Sequence, residues 1–121
     1  MTPHPPHRGR FAPSPTGPLH FGSLVAALAS YVDARTSQGE WHLRIEDVDQ
    51  GRTVPGAADD ILRTLEAFGL EWDGGVVHQS DRTDLYRNAL DALRGLGLAY
   101  DCACSRRDVA RTGQLGAEGP I

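Results

Sequence analysis

The chain has 121 residues, 40% of them hydrophobic, and a formal net charge of −4. That is one ordinary domain or part of a larger one, with enough apolar material for a core; the acidic balance argues against a general nucleic-acid coat but leaves room for a local basic patch. All 12 basic residues are Arg, which excludes a Walker-type phosphate loop and any Schiff-base step within this chain, since both need Lys.

The longest apolar-rich stretch, Leu24 to Val32, is interrupted by Ser30 and bounded by Asp33, so it does not read as a membrane span. Met1 to Arg8 is rich in Pro and His and lacks the apolar centre of a signal peptide, which makes a cytoplasmic location the expectation. Cys102 and Cys104 are too few and too close together to form a disulfide framework.

In chain order, residues 1–9 read as a flexible tail in which His4 and His7 have no assigned role, and Arg10 to Ala12 as a first strand. The strand feeds the stretch on which the rest is organised, Arg10 to Ser23, RFAPSPTGPLHFGS, with three prolines and two glycines around His20. Proline fixes φ and glycine releases it, so this backbone is shaped rather than merely flexible. A Gly-containing loop that runs into a helix N-terminus exposes unpaired N–H groups suited to a phosphate or carboxylate, which marks a substrate loop.

From Ser23 to Gln38, Leu24, Val25, Leu28, Tyr31 and Val32 recur at helical spacing, and Gly39 supplies the stop. Trp41, Leu43 and Ile45 alternate within Glu40 to Ile45, a strand with one buried face that ends in the acidic turn Glu46-Asp47-Val48-Asp49. Strand, helix and strand make a βαβ unit whose loops gather at one edge as a ligand site. Thr53 to Gly56 opens a second helix, striped by Ile61, Leu62, Leu65 and Phe68 and closed by Gly69, with Asp59 and Asp60 near its positive end.

Trp72 to Gly75 is a turn and Val76 to His78 a brief strand. Ser80 or Asp81 caps a third helix to about Gly95, whose stripe of Leu85, Tyr86, Ala89, Leu90 and Leu93 is assigned to the core. Ala99 to Cys102 reads as extended, and Ser105-Arg106-Arg107-Asp108 as a capping-box variant opening a short helix. Gly113 to Ile121 is Gly-rich and shows no closing element, which suggests truncation.

RFAPSPTGPLHFGSL, then LRIEDVD, VPGA and HQSDR in this order and spacing, resembles the N-terminal part of a class I glutamyl-tRNA synthetase catalytic domain. Pro13 to Ser23 corresponds to the HIGH region of that family, with His20 and Gly22 in the motif. Phe21-Gly22-Ser23-Leu24 and the Cys102-x-Cys104 pair look more like the short glutamyl-queuosine tRNA(Asp) synthetases, which resemble a glutamyl-tRNA synthetase without its anticodon-binding domain.

The resemblance implies a Rossmann-like α/β fold and a monomeric ligase that activates L-glutamate with ATP and Mg2+, then attaches it to queuosine in the anticodon of tRNA(Asp). A glutamate carboxylate attacks the α-phosphorus, so catalysis consists of alignment and charge stabilisation, and no nucleophilic triad is called for. It implies catalytic roles for His20 and Gly22, ATP contacts from His20, Gly22 and Ser23, and glutamate contacts from Arg10, Phe11, Ala12, Pro13, Ser14 and Glu46. Arg10 offers a planar fork for a carboxylate and Glu46 an acceptor for the ammonium. Ser23 stands where the family has its second motif His, which shifts load onto His20 and backbone donors.

Each residue also has a plainer reading: His20 satisfying loop hydrogen bonds, Arg10 and Glu46 forming a structural ion pair, Asp47 and Asp49 as solvated turn formers. Cys102 and Cys104 resemble half of a zinc site, with His78 or Asp101 as optional further ligands and free thiols as the alternative. The expected organisation is a tail at 1–9, the N-terminal half of the catalytic domain at 10–101, and the start of a zinc-binding insertion at 102–121. The second half of the nucleotide-binding fold and the lysine loop facing ATP are absent from these residues. The runners-up are the N-terminus of an ordinary glutamyl-tRNA synthetase charging tRNA(Glu) and a non-catalytic ligand- or RNA-binding fragment.

Overall fold

The computed structural model describes residues 6–111, together with the backbone of 112, 115–116 and 119–120. The elements run β1 (Arg8–Phe11), α1 (Phe21–Thr36), β2 (Glu40–Ile45), α2 (Ala57–Ala67), β3 (Val77–His78), a 3-10 turn (Gln79–Arg82), α3 (Thr83–Gly95), α4 (Arg106–Thr112), β4 (Leu115–Gly116) and β5 (Gly119–Pro120). They divide into two units, Met1–Thr83 and Asp84–Ile121.

In the first unit β1 and β3 both pair in parallel with the central β2, in the order β1-β2-β3. Trp41, Leu43 and Ile45 are buried on β2, as their alternation predicts, and the register sets Phe11 opposite Leu43. Two crossovers in the same direction place α1 and α2 on one face. One cluster accordingly joins Ala27 and Ala34 of α1, Ile61 and Leu65 of α2, and Phe11, Trp41, Leu43 and Ile45 of the sheet. Each fully buried Leu or Ile contributes about 1.5–3 kcal/mol to holding these layers together. The arrangement is the Rossmann-like α/β fold expected from the sequence.

β1 begins at Arg8, two residues before the expected start, so the last part of residues 1–9 is not a loose tail. The Glu40 amide donates to the His7 carbonyl at 2.9 Å, and His7 Nε2 lies 3.2 Å from Asp33. The parallel partner strand supplies bonds that a short local stretch does not reveal. His4 lies outside the described residues.

The buried side of α1 also differs from the expectation. Ala27 and Ala34 face the sheet, while Val25, Leu28 and Val32 of the expected stripe are exposed. The cause is Trp41, whose indole stacks on Phe11 at 6.2 Å, meets the Tyr31 edge at 5.2 Å and donates to Ser30 Oγ at 2.9 Å. A side chain of that size on the sheet leaves room only for small residues on the helix above it.

The stop after α1 is made differently as well. Gln38 takes the left-handed conformation, φ 53°, and Gly39 is needed because a Cβ there would collide with the His7 carbonyl. In α2, Ile61 and Leu65 are buried and Asp59 and Asp60 lie in the first turn, as expected. Phe68 is 64% exposed, because it is the C-cap and the chain has left the helical stripe there.

In the second unit the apolar stripe of α3 is not a core: Leu85, Tyr86, Leu90 and Leu93 are exposed. No described element of this unit packs over them, so periodicity alone predicted burial that packing does not deliver. Asp101 pairs with Arg94 through Oδ1. The capping box at α4 is as read: the Ser105 amide donates to Asp108 Oδ2 at 2.9 Å, and the Asp108 amide to Ser105 Oγ at 3.2 Å. β4 and β5 form an antiparallel pair where no closing element was expected; 113–114, 117–118 and 121 lie outside the described residues.

Candidate functional site

The loop between β1 and α1 encloses a hollow of about 460 Å³ at the C-terminal edge of the sheet. Its walls include Phe11, Ala12, Pro13, Ser14, His20 and Ser23, with Gly22 at the helix mouth. Two backbone bonds fasten this loop to the chain after β2: the Glu46 amide donates to the Pro13 carbonyl and the Val54 amide to the Pro15 carbonyl, each at 2.9 Å. Prolines at 13 and 15 have no N–H, so their carbonyls are the backbone groups left to pair.

His20 is the N-cap of α1. Its Nδ1 accepts from the Ser23 amide at 3.2 Å, and Nε2 lies 3.0 Å from Ser23 Oγ. An accepting Nδ1 requires the neutral ring to carry its proton on Nε2, so the hydroxyl accepts there. Gly22 permits this: a Cβ at that position would come within 3.1 Å of the imidazole. The first turn of α1 holds no acidic residue, and among the described residues the amides of Phe21 and Gly22 have no hydrogen-bond partner. This helix mouth is therefore open to an anion, through its spare N–H donors and the positive dipole end they form. The plainer reading of His20 as a loop hydrogen-bonder describes both ring nitrogens as they stand, each engaged by Ser23.

Arg10 and Glu46 do not line the hollow but border it. Arg10 directly precedes Phe11 and is exposed, and among the described residues it has no ion-pair or hydrogen-bond partner. Glu46 sits one hydrogen bond from Pro13. The structural ion pair between Arg10 and Glu46 does not form; Glu46 Oε1 instead accepts from Arg44 Nη2 at 2.7 Å. Arg44 escaped the sequence reading, although alternation along β2 puts it on the same face as Glu46.

Asp47 is not a solvated turn former. Its side chain is 15% exposed, and its carboxylate takes both the amide and the hydroxyl of Ser80. Burial pushes the Asp47 carboxyl up, but the Ser80 bonds and the nearby His78 outweigh it and hold the group below its ordinary value. Ser80 is consequently spent on Asp47 rather than on capping α3. Asp49 keeps the exposed turn role, paired with Arg52 at 2.8 Å.

Cys102 and Cys104 are free and exposed thiols. No group of three His, Cys, Asp or Glu side chains that could hold a metal occurs among the described residues. Asp101 is taken by Arg94, and His78 faces Asp47. Two donors do not make a tetrahedral zinc site, so the described residues alone do not fit one. No described helix is long and apolar enough to cross a membrane.

Residues 7–114 match the family model for the catalytic domain of class I tRNA synthetases of the E and Q type. The chain belongs to this class I synthetase family. It is 70% identical over 105 residues to a glutamyl-Q tRNA(Asp) synthetase of Dechloromonas aromatica, covering 87% of this chain and 35% of that protein. Against the enzyme of the same name from Chromobacterium violaceum the identity is 62% over 115 residues, covering 95% of this chain and 39% of that protein. A crystal structure of a glutamate tRNA ligase from Elizabethkingia meningosepticum in complex with its amino acid superposes with a TM-score of 0.73 at 32% identity. It covers 88% of this chain and 23% of that one. This synthetase segment thus spans about a third of the length of the curated relatives it matches.

Proposed function

We propose that the segment forms the N-terminal half, at 10–101, of the catalytic domain of an enzyme that activates L-glutamate with ATP and transfers it to queuosine in the anticodon of tRNA(Asp). The observation that carries this reading is the open mouth of α1, an anion receptor whose loop is fastened to the Glu46 backbone. Its similarity, at 62–70% identity, to relatives named glutamyl-Q tRNA(Asp) synthetase supports this choice of acceptor.

In the proposed reaction a carboxylate oxygen of glutamate attacks the α-phosphorus of Mg2+-bound ATP. A P–O bond forms to give glutamyl-adenylate, and the bond to the bridging oxygen breaks, releasing pyrophosphate. A hydroxyl of the acceptor then displaces AMP. His20 donates its Nε2–H to a phosphate oxygen, exchanging the Ser23 hydroxyl for it, while Gly22 keeps the backbone within reach and Ser23 retains the cap. Arg10, with no protein partner among the described residues, clamps a glutamate carboxylate. Glu46 accepts from the ammonium, and Phe11, Ala12, Pro13 and Ser14 shape the pocket between them.

Cys102 and Cys104, in the insertion beginning at 102, contribute two of four zinc ligands in the complete protein. A cytoplasmic, monomeric enzyme fits the rest.

Glutamate-dependent exchange of pyrophosphate into ATP by the complete protein tests activation, and charging of tRNA(Asp) with and without queuosine tests the acceptor. Charging of tRNA(Glu) instead would assign the segment to an ordinary glutamyl-tRNA synthetase. Absence of exchange would leave a non-catalytic binding segment.

A further inference from the structure

We propose that Arg44 is a positioning residue for Glu46, holding one carboxylate oxygen so that the other is presented to the ammonium of the substrate. The inference rests on the reading of Glu46 given above. Glu40, His42, Arg44 and Glu46 follow the face of β2 opposite Trp41, Leu43 and Ile45. All four make ion pairs there, in two separate sets: Glu40 is shared by Arg8 at 3.1 Å and His42 at 3.0 Å, and Arg44 takes Glu46 at 2.7 Å. Arg44 is thus committed to Glu46 alone among the described residues.

Three features separate this pair from an ordinary surface bridge. Both side chains are partly sequestered, at 29% and 34% exposure, so the attraction is less screened than between two open side chains. Arg44 Nε is buried and has no hydrogen-bond partner among the described residues, a cost that a side chain placed only for stability would avoid. Finally, the Glu46 backbone is itself fixed by its bond to Pro13, so the side-chain torsions are the freedom left to remove. With Oε1 engaged by Arg44, Oε2 has no partner among the described residues and faces an incoming donor in one orientation. Presenting a pre-set acceptor lowers the ordering cost of binding.

The test is a double-substitution cycle in the complete protein, read as KM for glutamate, KM for ATP and kcat in pyrophosphate exchange. Arg44→Gln is expected to raise the glutamate KM about tenfold, the weight of one charge-assisted hydrogen bond, with the ATP KM unchanged. Arg44→Lys should restore part of the loss, and it carries the same cycle if Arg44→Gln folds poorly. In a Glu46→Gln background either Arg44 substitution should change the glutamate KM less than twofold, because Arg44 acts through Glu46. Full additivity of the two losses, or an unchanged glutamate KM in both Arg44 variants, would overturn the proposal. An unchanged glutamate KM in Glu46→Gln alone would instead overturn the reading of Glu46 on which it rests.

Discussion

Asp47 and Ser80, 33 positions apart, are joined twice: Asp47 Oδ1 accepts the Ser80 amide at 2.8 Å and Oδ2 the Ser80 hydroxyl at 2.7 Å. The pair ties the 3-10 turn after β3 to the acidic turn after β2, so two loops at the C-terminal edge of the sheet hold a common position. Asp47→Ala removes both acceptors and leaves the Ser80 amide without its partner. Unfolding in denaturant should show a loss of about 1–3 kcal/mol. Asp47→Asn, which keeps an acceptor for the amide, should lose less.

Acid sensitivity follows from the same carboxylate. Asp47 is held below the ordinary Asp value by the Ser80 bonds against the opposing effect of burial, and Asp73 is held low by the Trp41 amide first and Arg35 second. A folded pKa below the unfolded one stabilises the fold fully above the unfolded carboxyl value, about 3.9, and less as pH falls through the folded value. Stability measured downward from about pH 5 should decline more steeply for the wild-type chain than for Asp47→Asn. Equal slopes would show that Asp47 titrates alike in both states.

The capping role of His20 and its proposed role toward phosphate can be separated by substitution. His20→Ala should cost about 0.5–2 kcal/mol of stability through the lost cap and also slow adenylate formation. His20→Asn keeps a capping oxygen and removes the Nε2–H, so it should fold as well as wild type and still be slow in pyrophosphate exchange. Wild-type exchange by His20→Asn would reduce His20 to a cap.

Arg10 makes no ion pair among the described residues, so Arg10→Ala should change stability by less than about 0.5 kcal/mol. The same variant should raise the glutamate KM in the complete protein. A large stability loss with an unaltered glutamate KM would show that its role is to hold the sheet.

What was legible in the chain was what depends on near neighbours. The period of two in Glu40 to Ile45 announced β2, the Pro/Gly loop announced the hollow, and Ser105 with Asp108 announced the capping box. What stayed hidden needed distant partners. The face of α1 is chosen by Trp41, which no periodicity within the helix encodes, and the start of β1 is set by its pairing with β2. Ser80 reads locally as a helix cap because Asp47 is far away in sequence. The stripe of α3 carries a correct helical period, yet period reports a face and not what covers it. At the site, the loop residues were readable from composition, whereas the engagement of Glu46 by Arg44 appeared only once the side chains were seen together.

The tight seat of α1 on Trp41 gives positions remote from the hollow a say in how the helix mouth is placed. Gly9, Ala27 and Ala34 leave no slack beneath the helix: a Cβ on Gly9 would come within 2.9 Å of Ala34 Cβ. Enlarging any of the three would lever the helix off the sheet, and its far end carries His20. The gauge of the hollow at the helix mouth is therefore machined by the smallest residues beneath it.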